Sequence, residues 1–355
     1  MLSSPVVEGQ VGRVRVAFIG CGVHSTENLY PCLRYLADRV ELVATCDLRE
    51  ELARRNARYF GFLRWYTDYR EMLGREELDA VFVVGPPQMH YEIGLECLEN
   101  GLHVFVEKPP ALSSRMAWKM VEAARESGRY LMVGFMKRFA IGYRLAREVV
   151  ERGEFGRVTH ILTKFVNGPY SAIWGLEPPA RAYLVGQAIH HFDLARYLVG
   201  EVERVYAELY ELDGERFTYA VTLRFENGAT GTLNLGSCQS WSKIDEYVEV
   251  AGEGCFIYVD DMASQVRYYP RSNWLEAKSY AAWNQGLFWE ANHLPVLECQ
   301  SRYLRGYYGE VEHFINSILE GRQPSPDIED GYRALRIAEA VWESAVTGKP
   351  VEVSY

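Results

Sequence analysis

Gly20 and Gly22 stand in the run Val16-Ala-Phe-Ile-Gly20-Cys-Gly22-Val23-His24-Ser25, between an apolar strand pattern and a helical one. Glycines at that spacing suit the phosphates of a dinucleotide. The first permits a tight turn, and the second lets the backbone approach a pyrophosphate. The helix that follows offers unpaired N–H groups and a partial positive charge. Ser25 stands where a third glycine is usual, and a small residue keeps most of the close helix–sheet packing. Asp47 closes the next strand pattern, 22 residues past Ser25. A carboxylate there accepts hydrogen bonds from both ribose hydroxyls and repels a 2′-phosphate, so NAD is expected over NADP. Arg49 lies close enough to soften that preference. Val23, His24 and Leu48 complete the expected cofactor face, with His24 beside the pyrophosphate. A tight turn and a helix cap would account for the glycines and Asp47 singly. They would not account for strand, loop, helix and carboxylate together.

The elements that must position these residues are legible in the hydrophobic pattern. Nearly continuous apolar runs cover Val14 to Phe18, Leu42 to Cys46, Ala80 to Val84, His103 to Val106 and Tyr130 to Phe135. Such runs suit strands buried on both faces of a parallel sheet. Between them lie helical stripes. Leu29, Cys32, Leu33 and Leu36 form one, with Pro31 near its start, and Ile93, Cys97 and Leu98 form another, closed by Gly101. Alternation of this kind predicts βαβ units in a doubly wound sheet.

From about Gly134 the pattern changes. A helix is expected over Tyr143 to Arg152, followed by long alternating segments. Tyr219, Val221, Leu223 and Phe225 share one strand face. Asn227-Gly228 and Gly252-Glu-Gly254 mark turns, and Ala229 to Leu235, Tyr247 to Val250 and Cys255 to Val259 are the neighbouring strands. Two amphipathic helices close the chain. One carries Val311, Phe314, Ile315, Ile318 and Leu319 and ends at Gly321; the other runs from about Asp327 to Thr347 and stops at Gly348.

With 355 residues the chain has room for about two domains. Its charged fraction of 24% and hydrophobic fraction of 48% are those of an ordinary folded protein. The net charge of −10 argues against a surface built for nucleic acid or anionic lipid. No apolar stretch approaches the ~20 residues of a membrane helix, and residues 1–12 read as a flexible tail without a secretory pattern. The seven cysteines (21, 32, 46, 97, 238, 255 and 299) are scattered and odd in number, which predicts buried thiols in a reduced, cytoplasmic chain. The eight histidines show no metal-ligand spacing, so no metal is expected.

Further motifs run along the whole chain. They are Gly85-Pro86-Pro87-Gln-Met-His90, Val104-Phe-Val-Glu107-Lys108-Pro109, Gly134-Phe-Met-Lys-Arg138-Phe139, His190-His-Phe-Asp193, and the closing Gly331-Tyr-Arg-Ala334 and Ser344-Ala-Val-Thr-Gly348-Lys-Pro350-Val351. With these the chain resembles the Gfo/Idh/MocA family of oxidoreductases, named for glucose–fructose oxidoreductase and inositol dehydrogenase. The resemblance implies an N-terminal Rossmann domain, here 13–133. It implies a C-terminal α+β domain with a large open, mainly antiparallel sheet, here 134–355, for substrate binding and oligomerisation. Apolar faces on both sides of the strands between 218 and 259 are expected to accompany a homodimer or homotetramer. The resemblance adds Gly85, Pro86, Pro87, His90 and Glu107 to the cofactor contacts. It makes Lys108 the residue that reaches the nicotinamide and the reacting hydroxyl, and His190 the catalytic histidine, with Asp193 three residues on. The family pattern has an Asp four residues before that histidine, where this chain has Gly186.

Alcohol oxidation by NAD needs a C–H facing the nicotinamide and a base for the hydroxyl proton. Lys108, just past a strand's C-terminal end, would have its pKa lowered by burial and by the cationic nicotinamide. His190, with an ordinary pKa near neutrality, is the general base. Lys137, Tyr170, Trp174, His191 and Asp193 are the expected substrate contacts, and Tyr183 lies in the same region. Aromatic faces and hydrogen-bonding groups suit a sugar ring. The expected function is NAD-dependent hydride transfer to or from a sugar, cyclitol or related polyol. The alternatives are a redox-neutral sugar lyase or glycosidase that retains its NAD, and a non-catalytic NAD- and sugar-binding sensor.

Overall fold

The computed structural model describes residues 12–272, 286–291 and 301–355. Residues 1–11 of the expected tail, and Cys299, lie outside them. The first sheet contains β1 (Val14–Ile19), β2 (Val40–Cys46), β3 (Arg64–Tyr66), β4 (Ala80–Val83), β5 (His103–Glu107) and β6 (Leu131–Gly134). They are all parallel, in the order β3-β2-β1-β4-β5-β6. The order reverses beside β1, and ligands of such sheets bind at the carboxyl ends of the strands near that switch. Short β3, with two of its three residues exposed, left no apolar run to read. The stripe over residues 29–36 is buried, but only Tyr30–Tyr35 is α-helical, and a π-helical turn, Ser25–Leu29, precedes it.

The second sheet contains β7 (His160–Val166), β8 (Val202–Glu211), β9 (Phe217–Phe225), β10 (Thr230–Gly236), β11 (Asp245–Ala251), β12 (Phe256–Asp260), β13 (Gln265–Tyr269), β14 (Phe288–Glu290) and β15 (Val351–Glu352). Its order is β14-β13-β12-β11-β7-β10-β9-β8-β15, and only β10 and β7 pair in parallel. At the Asn227-Gly228 turn only Gly228 takes a positive φ, 89°. Asn227 instead accepts the Ala229 N–H on its side chain at 3.0 Å.

One face of this sheet is buried. The opposite face differs from the expected apolar surface. On β9 and β10 it carries Thr218, Ala220, Thr222, Arg224, Thr230, Thr232 and Asn234. Threonine satisfies strand sterics without demanding burial, so only the inward set need be apolar. Further along, the same face turns aromatic. Tyr247 meets Tyr258 at 5.4 Å between ring centroids, and Phe256 stacks on Tyr269 at 4.7 Å. Thiol burial holds for Cys21, Cys32, Cys46, Cys97 and Cys255, whereas Cys238 is exposed.

The chain returns to the first sheet near its end. The helix Tyr307–Glu320 lays Phe314 edge-on against Phe82 and Phe105, at 5.4 and 5.8 Å. Gly306 permits this approach: its φ is +96°, and a Cβ there would lie 2.1 Å from the Met136 carbonyl oxygen. The closing helix Ile328–Thr347 begins with a capping box between Asp327 and Asp330 and ends at Gly348 in the left-handed conformation. The closing helix ties the two sheets together, touching β6 of the first and β8 and β15 of the second.

Candidate active site

Gly20 ends β1 with φ +104°, and a Cβ there would lie 1.9 Å from the Val84 carbonyl oxygen. Only glycine fits. Gly22 is different, because a Cβ there would meet nothing within 4 Å. No protein atom requires that glycine, so the open space beside it fits an approaching phosphate. Asp47 Oδ2 accepts the Cys21 N–H at 2.8 Å, and Oδ1 accepts the Arg49 N–H at 2.9 Å. The carboxylate thereby fixes the glycine loop to the end of β2. Val23 and Leu48 are 72% and 92% exposed, apolar side chains with no protein partner to bury them. Glycine loop, carboxylate and open apolar rim together fit a dinucleotide.

Gly85 continues β4 and donates its N–H to His90 Nε2 at 3.0 Å. The other ring nitrogen of His90 meets the Pro109 carbonyl at 2.9 Å, so the ring is neutral with its proton on Nδ1. Burial holds its pKa down at about 4. With both nitrogens engaged, His90 pins the Gly85-Pro86-Pro87 turn to the Lys108-Pro109 segment, and it has no polar atom to give a cofactor. Pro86 is extended and Pro87 opens the helix Pro87–Glu99, as suits residues that lack an N–H.

Glu107 is the last residue of β5 and is buried. Its Oε1 lies 3.0 Å from His24 Nε2, and Oε2 accepts the Lys108 N–H at 3.1 Å. Burial opposes both charges in the Glu107–His24 pair. Even so, the mutual attraction lowers the Glu107 pKa and raises that of His24. Lys108 extends from the strand end, and its Nζ donates to the Gly186 carbonyl at 2.9 Å. Burial, then Lys137, lowers its pKa.

Gly186 lies in a π-helical turn, Leu184–Ala188, that leads into the helix Ile189–Val199 carrying His190. His190 is buried, and its Nδ1 has no hydrogen-bond partner among the described residues. Burial, then Lys108 and Lys137, holds its pKa well below the usual histidine value. The structure thus brings Lys108 and His190 to one cleft.

Lys137 and His191 are also there, but they are committed to Glu246. Lys137 Nζ lies 2.6 Å from Glu246 Oε2 and 3.4 Å from His191 Nε2, and it sits over the Phe165 ring at 4.3 Å. Tyr143 donates to the same carboxylate. Burial, then Lys137, puts the His191 pKa at about 4. Burial opposes the Glu246 charge, but Lys137 and His191 together hold that carboxyl well below the usual carboxylate range. Asp193 does not meet the substrate cleft as expected. Both its oxygens accept from Arg138, at 2.6 and 2.8 Å, and Arg138 and Arg196 share Asp330 beyond it. It is a buried ionic anchor for the helix behind His190. Tyr170 and Trp174 do reach the site, against Gly186.

Two site residues escaped the sequence reading. Glu246 occupies an inward position of β11, in register with Val248 and Val250. Glu310 lies on the apolar stripe Tyr307, Val311, Phe314, wholly buried, with neither carboxylate oxygen partnered among the described residues. A charged residue on an otherwise apolar face was the available signal in both cases.

A parallel doubly wound sheet with this glycine loop and a lysine–histidine cleft defines a nicotinamide-dependent oxidoreductase. Residues 14–135 match the model of the Gfo/Idh/MocA oxidoreductase family's NAD-binding Rossmann fold, and residues 147–353 match its C-terminal alpha/beta domain. The chain belongs to this family. It is 28% identical to the myo-inositol 2-dehydrogenase of Thermotoga maritima over 96% of this chain and 98% of that one. It is also 28% identical to the D-glucoside 3-dehydrogenase of Escherichia coli, over 99% of each. A dehydrogenase structure from Chromobacterium violaceum superposes with TM-score 0.85 at 28% identity, covering 95% of this chain and 96% of that one. A levoglucosan dehydrogenase in complex with NADH and levoglucosan has the same fold, with TM-score 0.83 at 23% identity over 97% of this chain and 100% of that one. The chain is an NAD-binding oxidoreductase by family.

Proposed function

We propose that this protein transfers a hydride between a CH–OH carbon of a sugar, cyclitol or related polyol and NAD. The carrying observation is the convergence of Lys108 and His190 at the carboxyl end of β5, beside the glycine loop. When bound, NAD supplies the carbon that accepts or returns the hydride. His190, kept neutral by burial and neighbouring lysines, takes the hydroxyl proton as the C–H bond breaks. Lys108 holds the substrate oxygen. Its ammonium is the donor whose strength suits an oxygen passing between hydroxyl and carbonyl. Lys137, paired with Glu246, and His191 lie close enough to His190 to disfavour its charged form. Inositol and glucoside dehydrogenases among the relatives support the substrate class.

The reading extends to assembly and location. A homodimer or homotetramer through the outer face of the second sheet is supported by its aromatic patch, Tyr247, Phe256, Tyr258 and Tyr269. A cytoplasmic setting is supported by six free cysteines among the described residues. Among the described residues no helix is long and apolar enough to cross a membrane.

The test is to load the protein with NAD and add a panel of inositols, glucosides and free sugars while following nicotinamide absorbance. Formation of NADH with one of them is expected. Bound NAD with no net reduction by any of them would favour the redox-neutral or sensor reading instead.

A further inference from the structure

Position 186 has no side chain, and two aromatic residues fill the space. A Cβ on Gly186 would lie 2.5 Å from the Tyr170 hydroxyl and 3.3 and 3.6 Å from two ring atoms of Trp174. The first distance is closer than real side chains tolerate. The Gly186 backbone is helical, so conformation does not demand glycine here. The neighbouring hydroxyl does.

Both aromatic residues are held from outside the turn. Tyr170 donates its N–H to the Glu215 carbonyl at 3.0 Å, and its ring meets Tyr183 edge-on at 5.4 Å. Trp174 has φ 58°, in the left-handed region, and its carbonyl accepts from Gln88 of the first domain at 3.3 Å. The pair therefore bears on Gly186 from a segment clasped to both domains. On its other side Gly186 presents the carbonyl that receives Lys108 Nζ at 2.9 Å. Burial pushes the Tyr170 pKa up, so the hydroxyl stays neutral and adds no charge beside Lys108.

The geometry points to Tyr170 as a positioning residue for Lys108, acting through Gly186. Its hydroxyl, admitted because residue 186 is glycine, buttresses the π-helical turn so that the Gly186 carbonyl faces the lysine. This rests on the reading of Lys108 as the group that meets the substrate oxygen, but its test needs no substrate.

The test compares Gly186→Ala, Tyr170→Phe and the double variant with wild type, in protein labelled with 13C at the lysine ε-carbons. The Lys108 signal is identified by its loss in Lys108→Arg. Gly186→Ala should displace the carbonyl and move the Lys108 pKa by about one unit. Tyr170→Phe alone should move it less. The double variant, in which the clashing oxygen is gone, should return the pKa towards wild type. A Tyr170→Phe variant with no shift, a double variant that keeps the full shift, or a Gly186→Ala variant with no shift overturns the proposal. If Gly186→Ala does not fold, recovery of folding in the double variant is the expected result, and its failure to fold counts against the coupling. Should no polyol be oxidised by wild type, the hydride reading fails while the titration still decides whether Tyr170 positions Lys108.

Discussion

His24 Nε2 and Glu107 Oε1 lie 3.0 Å apart, and this contact joins the phosphate loop to the strand that carries Lys108. On the proposed function, cofactor binding and catalysis share one buried carboxylate. Burial alone would lower the His24 pKa, but the Glu107 charge raises it, so His24 is cationic over a wider range than a free histidine. The charge is present below that raised pKa and is lost as pH rises through it. NAD affinity should therefore weaken with rising pH across that range. In His24→Ala the affinity should be several-fold weaker and less dependent on pH. Calorimetric titration with NAD at several pH values checks this, and an unchanged pH profile in the variant would contradict it.

The two glycines of the loop should behave differently. Gly20→Ala sets a Cβ against the Val84 carbonyl oxygen and forces a positive φ, so folding stability should drop by several kcal/mol. Gly22→Ala meets no protein atom, so its melting temperature should stay close to wild type while NAD affinity falls about tenfold or more. A Gly22→Ala protein with wild-type affinity would remove Gly22 from the phosphate site.

Asp193→Asn should act on stability. It leaves Arg138 buried with half its bidentate partner lost, and breaking such a pair costs about 3–5 kcal/mol. Denaturant unfolding should show that loss, with KM for the polyol unchanged among folded molecules. Retained stability with a raised KM would return Asp193 to the substrate site.

Glu310 gives a pH signature. Burial, then the Glu107 charge, raises its pKa well above the usual value, so the folded protein keeps it protonated. The unfolded chain ionises it above about pH 4.3. Its contribution is full below that value and declines as pH rises towards the folded pKa. Glu310→Gln cannot ionise. The melting-temperature advantage of the variant should grow between about pH 5 and pH 8. A pH-independent difference would show that Glu310 is charged in the folded state.

Much of this arrangement was legible in the sequence because periodicity reports burial directly. Five of the six strands of the first sheet, all but β3, and the closing helix, with caps at Asp327 and Gly348, follow from apolar runs and capping chemistry. The glycine loop was legible because its spacing answers to a ligand. Other relationships were not, because they depend on contacts between distant segments. Nothing local distinguishes Asp193 facing Arg138 from Asp193 facing a substrate. Nothing near Gly186 announces that Tyr170 fills its space. Glu246 and Glu310 could have been singled out as charges on apolar faces, but the groups that set their charge state, the Lys137 partner of Glu246 and the Glu107 carboxylate that repels Glu310, lie over 100 residues away.

The most direct test of the hydride-transfer account follows deuterium. The polyol identified in the substrate panel, deuterated at the reacting carbon, is given to NAD-loaded wild type and to Lys108→Ala. Deuterium should appear at the nicotinamide C4 in wild type, and transfer should be at least about a hundredfold slower in Lys108→Ala with NAD still bound. Deuterium lost to solvent in wild type, or an equal transfer rate in the variant, would contradict direct hydride transfer assisted by Lys108.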